Sequence, residues 1–243
     1  MKERVHDHRA SIDRRGRSGV YLVLLLQSFG ASVTFLVAKV IVQTVDAFTL
    51  TLVRSLIAAG GMMLLLVVRG KMIRIAREDW GLVIALSILA IPLNQFLFLY
   101  GLKYTTPANA ALLYGTTPIL VLLFSRWLLF EKLTGRKVYG VLLAFIGVTL
   151  VIFERGLDAS LQYVYGNLVI VVAVIAWGLY TVYGKKLISQ YGPIDASAVT
   201  LLVGSILFLP IGLVPALEFS YGSLTVANWL QICYLGLITS VVS

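Results

Sequence analysis

Long apolar segments alternate with short polar loops along the chain, after a hydrophilic tail over residues 1–18. A helix that crosses a bilayer needs about 20 predominantly apolar residues, which is the length of most of these segments. Lipid offers no partners to backbone amides and carbonyls, so an isolated segment satisfies them only by forming a helix. The pattern therefore predicts an all-α polytopic membrane protein with about eight membrane helices in this chain. The predicted helices lie near residues 19–42, 47–69, 80–102, 107–129, 135–154, 164–187, 194–217 and 227–243.

Two of these segments read alike: WGLVIALSILAIPLN opens at Trp80, and WLQICYLGLITSVVS opens at Trp229. A charged loop over residues 74–79 precedes the first, whereas Asn228 and small or apolar residues directly precede the second. If loop charge sets orientation, the two copies lie in the membrane with opposite topology. Inverted repeats of this kind are typical of secondary transporters.

A copy of five helices holds an odd number, so the second copy must enter the membrane from the other side. The first copy spans residues 19–154, and the second begins near residue 164 and stops within its third helix at residue 243. We therefore expect two inverted five-helix units, ten helices and roughly 300 residues in the complete protein, of which this chain is a fragment.

Composition supports the membrane assignment and excludes several other classes of protein. The apolar fraction is 59% and the mean hydropathy is +0.94, values that a water-soluble domain of this length does not reach. The net charge of +9 comes from loops between apolar segments, so it does not indicate nucleic-acid binding. Cys233 is the only cysteine, which excludes an intramolecular disulfide and a cysteine metal site in this chain.

Most of the 20 lysine and arginine residues lie in loops on one predicted side of the membrane. These loops are the N-terminal tail and residues 69–77, 126–137 and 185–186. Positively charged loops remain in the cytoplasm, so the asymmetry predicts a multi-pass protein of the plasma (inner) membrane with a cytoplasmic N-terminus.

Residues 96–154 resemble the EamA domain of the drug/metabolite transporter superfamily. The matching pieces are LYGLKY at 99–104, ANAAL at 108–112, Pro118, EKLT at 131–134 and residues 140–147; Lys39, Arg54, Trp177-Gly178 and Lys185 also match. One departure is Ala31-Ser32, which stands where the family often has Trp-Gly. The resemblance implies ten helices in two EamA repeats and the export or exchange of small metabolites. It names no substrate, because one fold carries many functions.

Arg54 lies about 10 Å along its predicted helix from the outer end. A guanidinium at that depth is costly and tends to face a cavity or a partner, which favours recognition of an anion or carboxylate, or a structural pair. The alternative is a side chain that extends to the outer interface. Lys39 lies about one turn from the end of its segment, where that alternative is favoured.

Asn94 and Gln95 lie deep in segment 80–102, just after Pro92. A neutral amide at this depth can bind a polar solute in a water-filled cavity. It can equally bridge two helices, or repair the hydrogen bond that Pro92 removes.

Two aromatic stripes supply further candidates. Tyr114 shares a face with Thr117 in segment 107–129, in which Pro118 should bend the helix. Trp177 lies mid-segment, away from the interface where tryptophan usually occurs, and Tyr180 follows it at helical spacing. Both stripes suit the wall of a cavity or a gate, and both also suit ordinary helix packing.

The acidic residues and both histidines lie in loops, at segment ends or in the tail, so no proton relay is visible within the membrane. No phosphate-binding loop with Gly-Lys-Ser/Thr occurs either, so ATP is not the direct drive. The function expected is a secondary transporter that exports or exchanges a small amphipathic metabolite, amino-acid-like or drug-like, by alternating access. The alternatives are an integral membrane enzyme acting on a lipid or prenyl substrate, for which Glu78-Asp79 is the only adjacent acidic pair, and a non-transporting scaffold.

No catalytic residue, cofactor or metal is expected, the partners are the solute and the lipid bilayer, and the oligomeric state is left open. The residues expected to bind substrate are Arg54, Asn94, Tyr114, Trp177 and Tyr180.

Overall fold

The computed structural model describes residues 29–30, 32–70, 73–130, 134–136, 138–140, 142–143, 146 and 161–238. Within these ranges the chain forms helices joined by short loops, and no strand occurs. The helices are α1 (Ser32–Ile41), α2 (Ala47–Val68), α3 (Arg77–Tyr104), α4 (Pro107–Leu128), α5 (Leu161–Tyr191), α6 (Pro193–Glu218) and α7 (Val226–Ile238).

Five of the helices, α2 to α6, are long and apolar enough to cross a membrane. They match five of the predicted segments, although α3 begins before Trp80 and α5 continues to Tyr191. The shorter helices α1 and α7 lie within two further predicted segments. The tail at 1–18, most of segment 135–154, Ala31, Glu131 and Lys132 lie outside the described residues, and the two-repeat division stays a prediction.

Three helices depart from regular α geometry. The central part of α3, Leu89–Gln95, is a π-helix around Pro92, which has no N–H to donate to the ladder. Helix α4 is interrupted at Thr116, between Pro107–Gly115 and Thr117–Leu128, two residues before Pro118. Helix α7 changes from α to π geometry at Tyr234–Ile238.

Local sequence explains where several helices begin. The Asp46 carboxylate accepts hydrogen bonds from the backbone N–H groups of Phe48 and Thr49, which caps α2. Thr106 caps α4 just before Pro107, whose missing N–H costs nothing at the first helical position. Between α5 and α6 the chain reverses at Gly192, whose φ of 85° a side chain would strain.

Glycines set the close crossings between the helices. At the crossing of α3 and α5, a Cβ built on Gly101 would lie 2.9 Å from the Gly166 carbonyl oxygen, and the reverse distance is also 2.9 Å. A Cβ on Gly212 of α6 would lie 3.0 Å from the Leu52 Cβ of α2. Small residues at these points let the backbones approach, as is usual between membrane helices.

Helices α2 and α3, α3 and α4, and α5 and α6 run in opposite directions, whereas α4 and α5 both finish on the same side, so the helix ends fall on two sides of the bundle. We call one side the basic end: there α2 and α5 finish and α3 and α6 begin. The other side holds the turns at 42–46 and 105–106.

Candidate functional site

Arg54 lies inside the bundle, about two turns after α2 begins. Arg54 is only 4% exposed, so its guanidinium does not extend to the outer interface. Arg54 lies close enough to Tyr114 of α4 for the two groups to influence each other electrostatically. The backbone of α7 also approaches here, since a Cβ on Gly236 would lie 3.0 Å from the Arg54 carbonyl oxygen.

Asn94 joins three helices at this level. Its Nδ2 donates to the Tyr114 hydroxyl oxygen at 2.7 Å and to the Ala173 carbonyl oxygen of α5 at 2.9 Å. Asn94 itself is buried, at 7% exposure. The amide therefore bridges α3, α4 and α5, and its donor group is not spent on the backbone gap left by Pro92.

Aromatic rings enclose the half-buried Tyr114. The rings of Phe35 on α1 and Phe98 on α3 meet it edge-on, with centroids 5.7 and 5.3 Å away. Phe35 and Phe98 also meet each other at 5.6 Å. The centre formed by Arg54, Asn94 and Tyr114 thus has a polar core and an aromatic wall.

Trp177 and Tyr180 form a second group on α5. Their rings stack at 5.2 Å with an interplanar angle of 15°. Trp177 lies one turn along α5 from Ala173, whose carbonyl accepts the Asn94 hydrogen bond. The hydroxyls of Tyr180 and Thr200 lie 3.4 Å apart, which places Tyr180 against α6, toward the basic end.

All five residues expected to bind substrate are thus in the described part of the chain. The structure brings Arg54, Asn94 and Tyr114 together, and it puts Trp177 and Tyr180 in a separate pair along α5. Sequence reasoning missed the Ala173 carbonyl, Phe35, Phe98 and Gly236. A backbone carbonyl leaves no signal in a sequence, and aromatic residues in apolar segments are too common to single out.

Two more polar atoms lie buried on the same turns. Oε1 of Gln95, next to Asn94, and Oγ1 of Thr117, one turn after Tyr114, have no hydrogen-bond partner among the described residues. A buried oxygen without a partner carries a desolvation cost, which water or a bound solute relieves.

The irregular parts of three helices meet at this centre. Asn94 lies in the π-helix of α3, Tyr114 lies just before the break in α4, and the π-helix of α7 packs on the turn of Arg54. Discontinuous helices at mid-membrane depth are a feature of transporter binding sites, where freed backbone groups face a solute or an ion.

Lys39 is partly exposed near the end of α1, and its ammonium is held at the outer end of α3. Its ammonium donates to the carbonyl oxygens of Leu102, Lys103 and Thr105, at 2.8, 3.2 and 2.7 Å. The side chain of α1 therefore caps the C-terminal end of α3 and complements the negative end of its helix dipole.

The acidic pair Glu78-Asp79 offers no metal site. Glu78 is exposed, whereas the Asp79 carboxylate is buried against Lys186 and Tyr191. In the part of the chain that the structure describes, no group of three His, Cys, Asp or Glu side chains comes together. The membrane-enzyme alternative therefore gains no support from this pair.

Comparison with known proteins gives one family for the whole chain. The model of the EamA-like transporter family matches residues 18–153 and 164–243. The uncharacterized transporter YetK of Bacillus subtilis (strain 168) is 31% identical over 227 residues, which cover 92% of this chain and 68% of that protein. The uncharacterized transporter YyaM of the same organism is 29% identical over 225 residues, covering 91% and 74%. A crystal structure with 22% sequence identity superposes with a TM-score of 0.65 over 87% of this chain and 72% of the other, which shows the shared fold.

Proposed function

The chain belongs to the EamA-like transporter family, and on that premise we propose that it exports or exchanges a small amphipathic metabolite across the plasma membrane by alternating access. The solute is amino-acid-like or drug-like: an anionic or polar group joined to an apolar body. The basic end of the bundle faces the cytoplasm, as does the N-terminus, because positively charged loops stay on that side.

The observation that carries this proposal is the hydrogen-bonded pair of Asn94 and Tyr114, with the buried Arg54 close by, inside an apolar bundle. Polar and charged side chains within a membrane are expensive, and they mark solute pathways more often than they stabilise the fold. A buried guanidinium offers a carboxylate two parallel hydrogen bonds together with opposite charge. The surrounding rings of Phe35 and Phe98 suit the apolar part of the same solute.

The irregular helices supply a means of movement. A π-helix and an interrupted helix hold fewer regular backbone hydrogen bonds than an α-helix, so they change conformation at lower cost. Because these segments carry Asn94 and Tyr114, a bend at either one changes the shape of the site itself.

The test is untargeted metabolite profiling of the medium of cells that express the protein or its variants. We expect a metabolite class that accumulates outside cells with the intact protein and not with Arg54→Ala or Trp177→Ala. Arg126→Ala and Trp127→Ala are the matched controls, since both residues are exposed at the basic end of α4.

If the metabolite still accumulates in the medium of cells with Arg54→Ala, Arg54 is not part of the binding site. Identical media from cells with and without the protein, followed by no solute-dependent thermal stabilisation of the purified protein, would contradict the transporter proposal.

A further inference from the structure

Residues 73–76, just before α3, pack across the basic end of the bundle. Ile73 and Ile75 are half-buried and pack against a cluster that includes Leu187 of α5 and Ala196 of α6. We call residues 73–79 the strap. The strap therefore covers the places where α5 ends and α6 begins.

One carboxylate fastens the strap to α5. The side chain of Asp79 is 3% exposed, whereas that of its partner Lys186 is 67% exposed. Lys186 Nζ lies 3.2 Å from Asp79 Oδ1, and the Tyr191 hydroxyl donates to Oδ2 at 2.7 Å. The Tyr191 oxygen in turn accepts the backbone N–H of Ala76, within the strap, at 3.1 Å. Both carboxylate oxygens are thus held by the last turns of α5.

These contacts stabilise the closed state, in which the strap packs against α5. A nearly buried carboxylate is tolerated only when charge and hydrogen bonds replace the lost water. The compensating groups belong to α5, while the carboxylate belongs to α3. Separation of the two helices at this end exposes the carboxylate to water and breaks both contacts, so the pair biases the bundle toward closure.

One apolar cluster connects the strap with the Trp177–Tyr180 pair of the candidate site. Tyr180 packs against the same apolar cluster as Ile73 and Ile75, and it stacks on Trp177. Along α5, Leu187 and Tyr191 lie about two and three turns beyond Tyr180 toward the basic end. The strap therefore lies closer to the basic end than the Trp177–Tyr180 pair does.

We propose that the strap is the cytoplasmic gate of the transporter and that Asp79, through Lys186 and Tyr191, is the latch that holds it shut. The proposal rests on the proposed function and on the orientation given above. It assigns Asp79 no contact with the solute: the residue acts on access to the site.

Thiol labelling tests the latch without any knowledge of the solute. The sole cysteine is removed as Cys233→Ser, and Thr117→Cys places a reporter thiol one turn from Tyr114. Inside-out membrane vesicles are then treated with a membrane-impermeant maleimide, which reaches the reporter thiol only through an open cytoplasmic gate. We expect Asp79→Asn to raise the labelling rate about tenfold or more, because hydrogen bonds to the buried, charged carboxylate stabilise the closed state more than hydrogen bonds to a neutral amide. Glu78→Gln removes the same charge from the neighbouring exposed residue and should leave the rate unchanged.

Right-side-out vesicles give the complementary reading. A true gate shifts the protein between two states, so Asp79→Asn should slow labelling from outside while it speeds labelling from the cytoplasm. Equal rates for Asp79→Asn and Glu78→Gln would overturn the latch. A rate that rises from both sides would also overturn it, since that result indicates loosening of the whole bundle.

A charge swap covers the case in which Asp79→Asn fails to fold. Asp79→Lys alone should label fast from the cytoplasmic side. Asp79→Lys combined with Lys186→Asp should restore slow labelling. If the folded double variant still labels fast, the latch is contradicted. Labelling reports conformation whether or not solute moves. If the labelling rates change as expected but no solute is transported, the proposed function is refuted, while the role of Asp79 in holding the strap closed is supported.

Discussion

The crossing of α3 and α5 supports a quantitative prediction, made by placing one methyl group at Gly166. A Cβ there would lie 2.9 Å from the Gly101 carbonyl oxygen, 2.9 Å from the Tyr104 Cβ and 3.0 Å from the Thr105 backbone nitrogen. Two of these atoms are backbone, so no side-chain rotation relieves the contact. Helix α3 must move as a whole by several tenths of an ångström.

That movement has a cost which can be bounded. Overpacking of this kind costs about 1–3 kcal/mol, and the lower backbone entropy of alanine in a helix returns about 0.5–1 kcal/mol. The displaced end of α3 also carries the Thr105–Asn167 hydrogen bond of 2.6 Å and the carbonyls capped by Lys39. We therefore expect Gly166→Ala to lower the free energy of unfolding by about 1–2 kcal/mol, even though alanine is the better helix former.

Gly184 is the matched control on the same helix. It too is buried inside α5, but a Cβ built on it meets no atom within 4 Å. Gly184→Ala should stabilise the protein by up to about 1 kcal/mol, because alanine lowers the conformational entropy of the unfolded chain and makes no new contact here. The assay is thermal or denaturant unfolding of both variants in the same detergent. If Gly166→Ala unfolds with the same stability as Gly184→Ala, the close crossing of α3 and α5 is wrong.

The remaining predictions concern polar contacts and the aromatic pair. Asn94→Leu keeps the side-chain volume but removes two interhelical hydrogen bonds. We therefore expect the free energy of unfolding to fall by about 1–2 kcal/mol and solute export to be lost. Unchanged export would show that the Asn94 bridge is not part of the site. Lys39→Met removes the cap of α3 and should lower the unfolding free energy by about 1 kcal/mol, whereas Lys103→Met, at an exposed residue, should not; equal thermal unfolding of the two variants would refute the cap. Trp177→Phe should weaken solute-dependent thermal stabilisation severalfold relative to Trp127→Phe, since only the first ring stacks beside the site; equal effects would separate the stacked pair from solute binding.

Much of the candidate site was predictable as a list of residues and not as an arrangement. The depth of Arg54 and Asn94 in apolar segments is a property of the sequence, and a polar side chain there needs a partner whatever the fold. Which partner it finds is another matter. Asn94 donates to Tyr114 and to the carbonyl of Ala173, and these residues lie 20 and 79 positions away along the chain. Pro92 marks an irregular helix, but only the structure shows that the irregularity is a π-helix over Leu89–Gln95.

Asp79 shows what the sequence leaves undecided. In the sequence it is one residue of the charged loop over 74–79 and half of the only adjacent acidic pair. In the structure Glu78 is exposed and Asp79 is buried against Lys186 and Tyr191, more than 100 residues later. Neighbouring residues at the start of a helix point in different directions, so one faces water while the next faces the bundle.

The sequence by itself determined the helical membrane class, the position of five long helices and the family, because lipid demands segments of one length and one composition. The tertiary structure decided which helices cross, at Gly101 against Gly166 and at Gly212 against Leu52. It also decided that Arg54, Asn94 and Tyr114 meet while Trp177 and Tyr180 pair apart from them. The physical reason is that an apolar segment of membrane length is compatible with many neighbours. Close packing at a few small residues, together with the need of each buried polar group for a partner, selects among them.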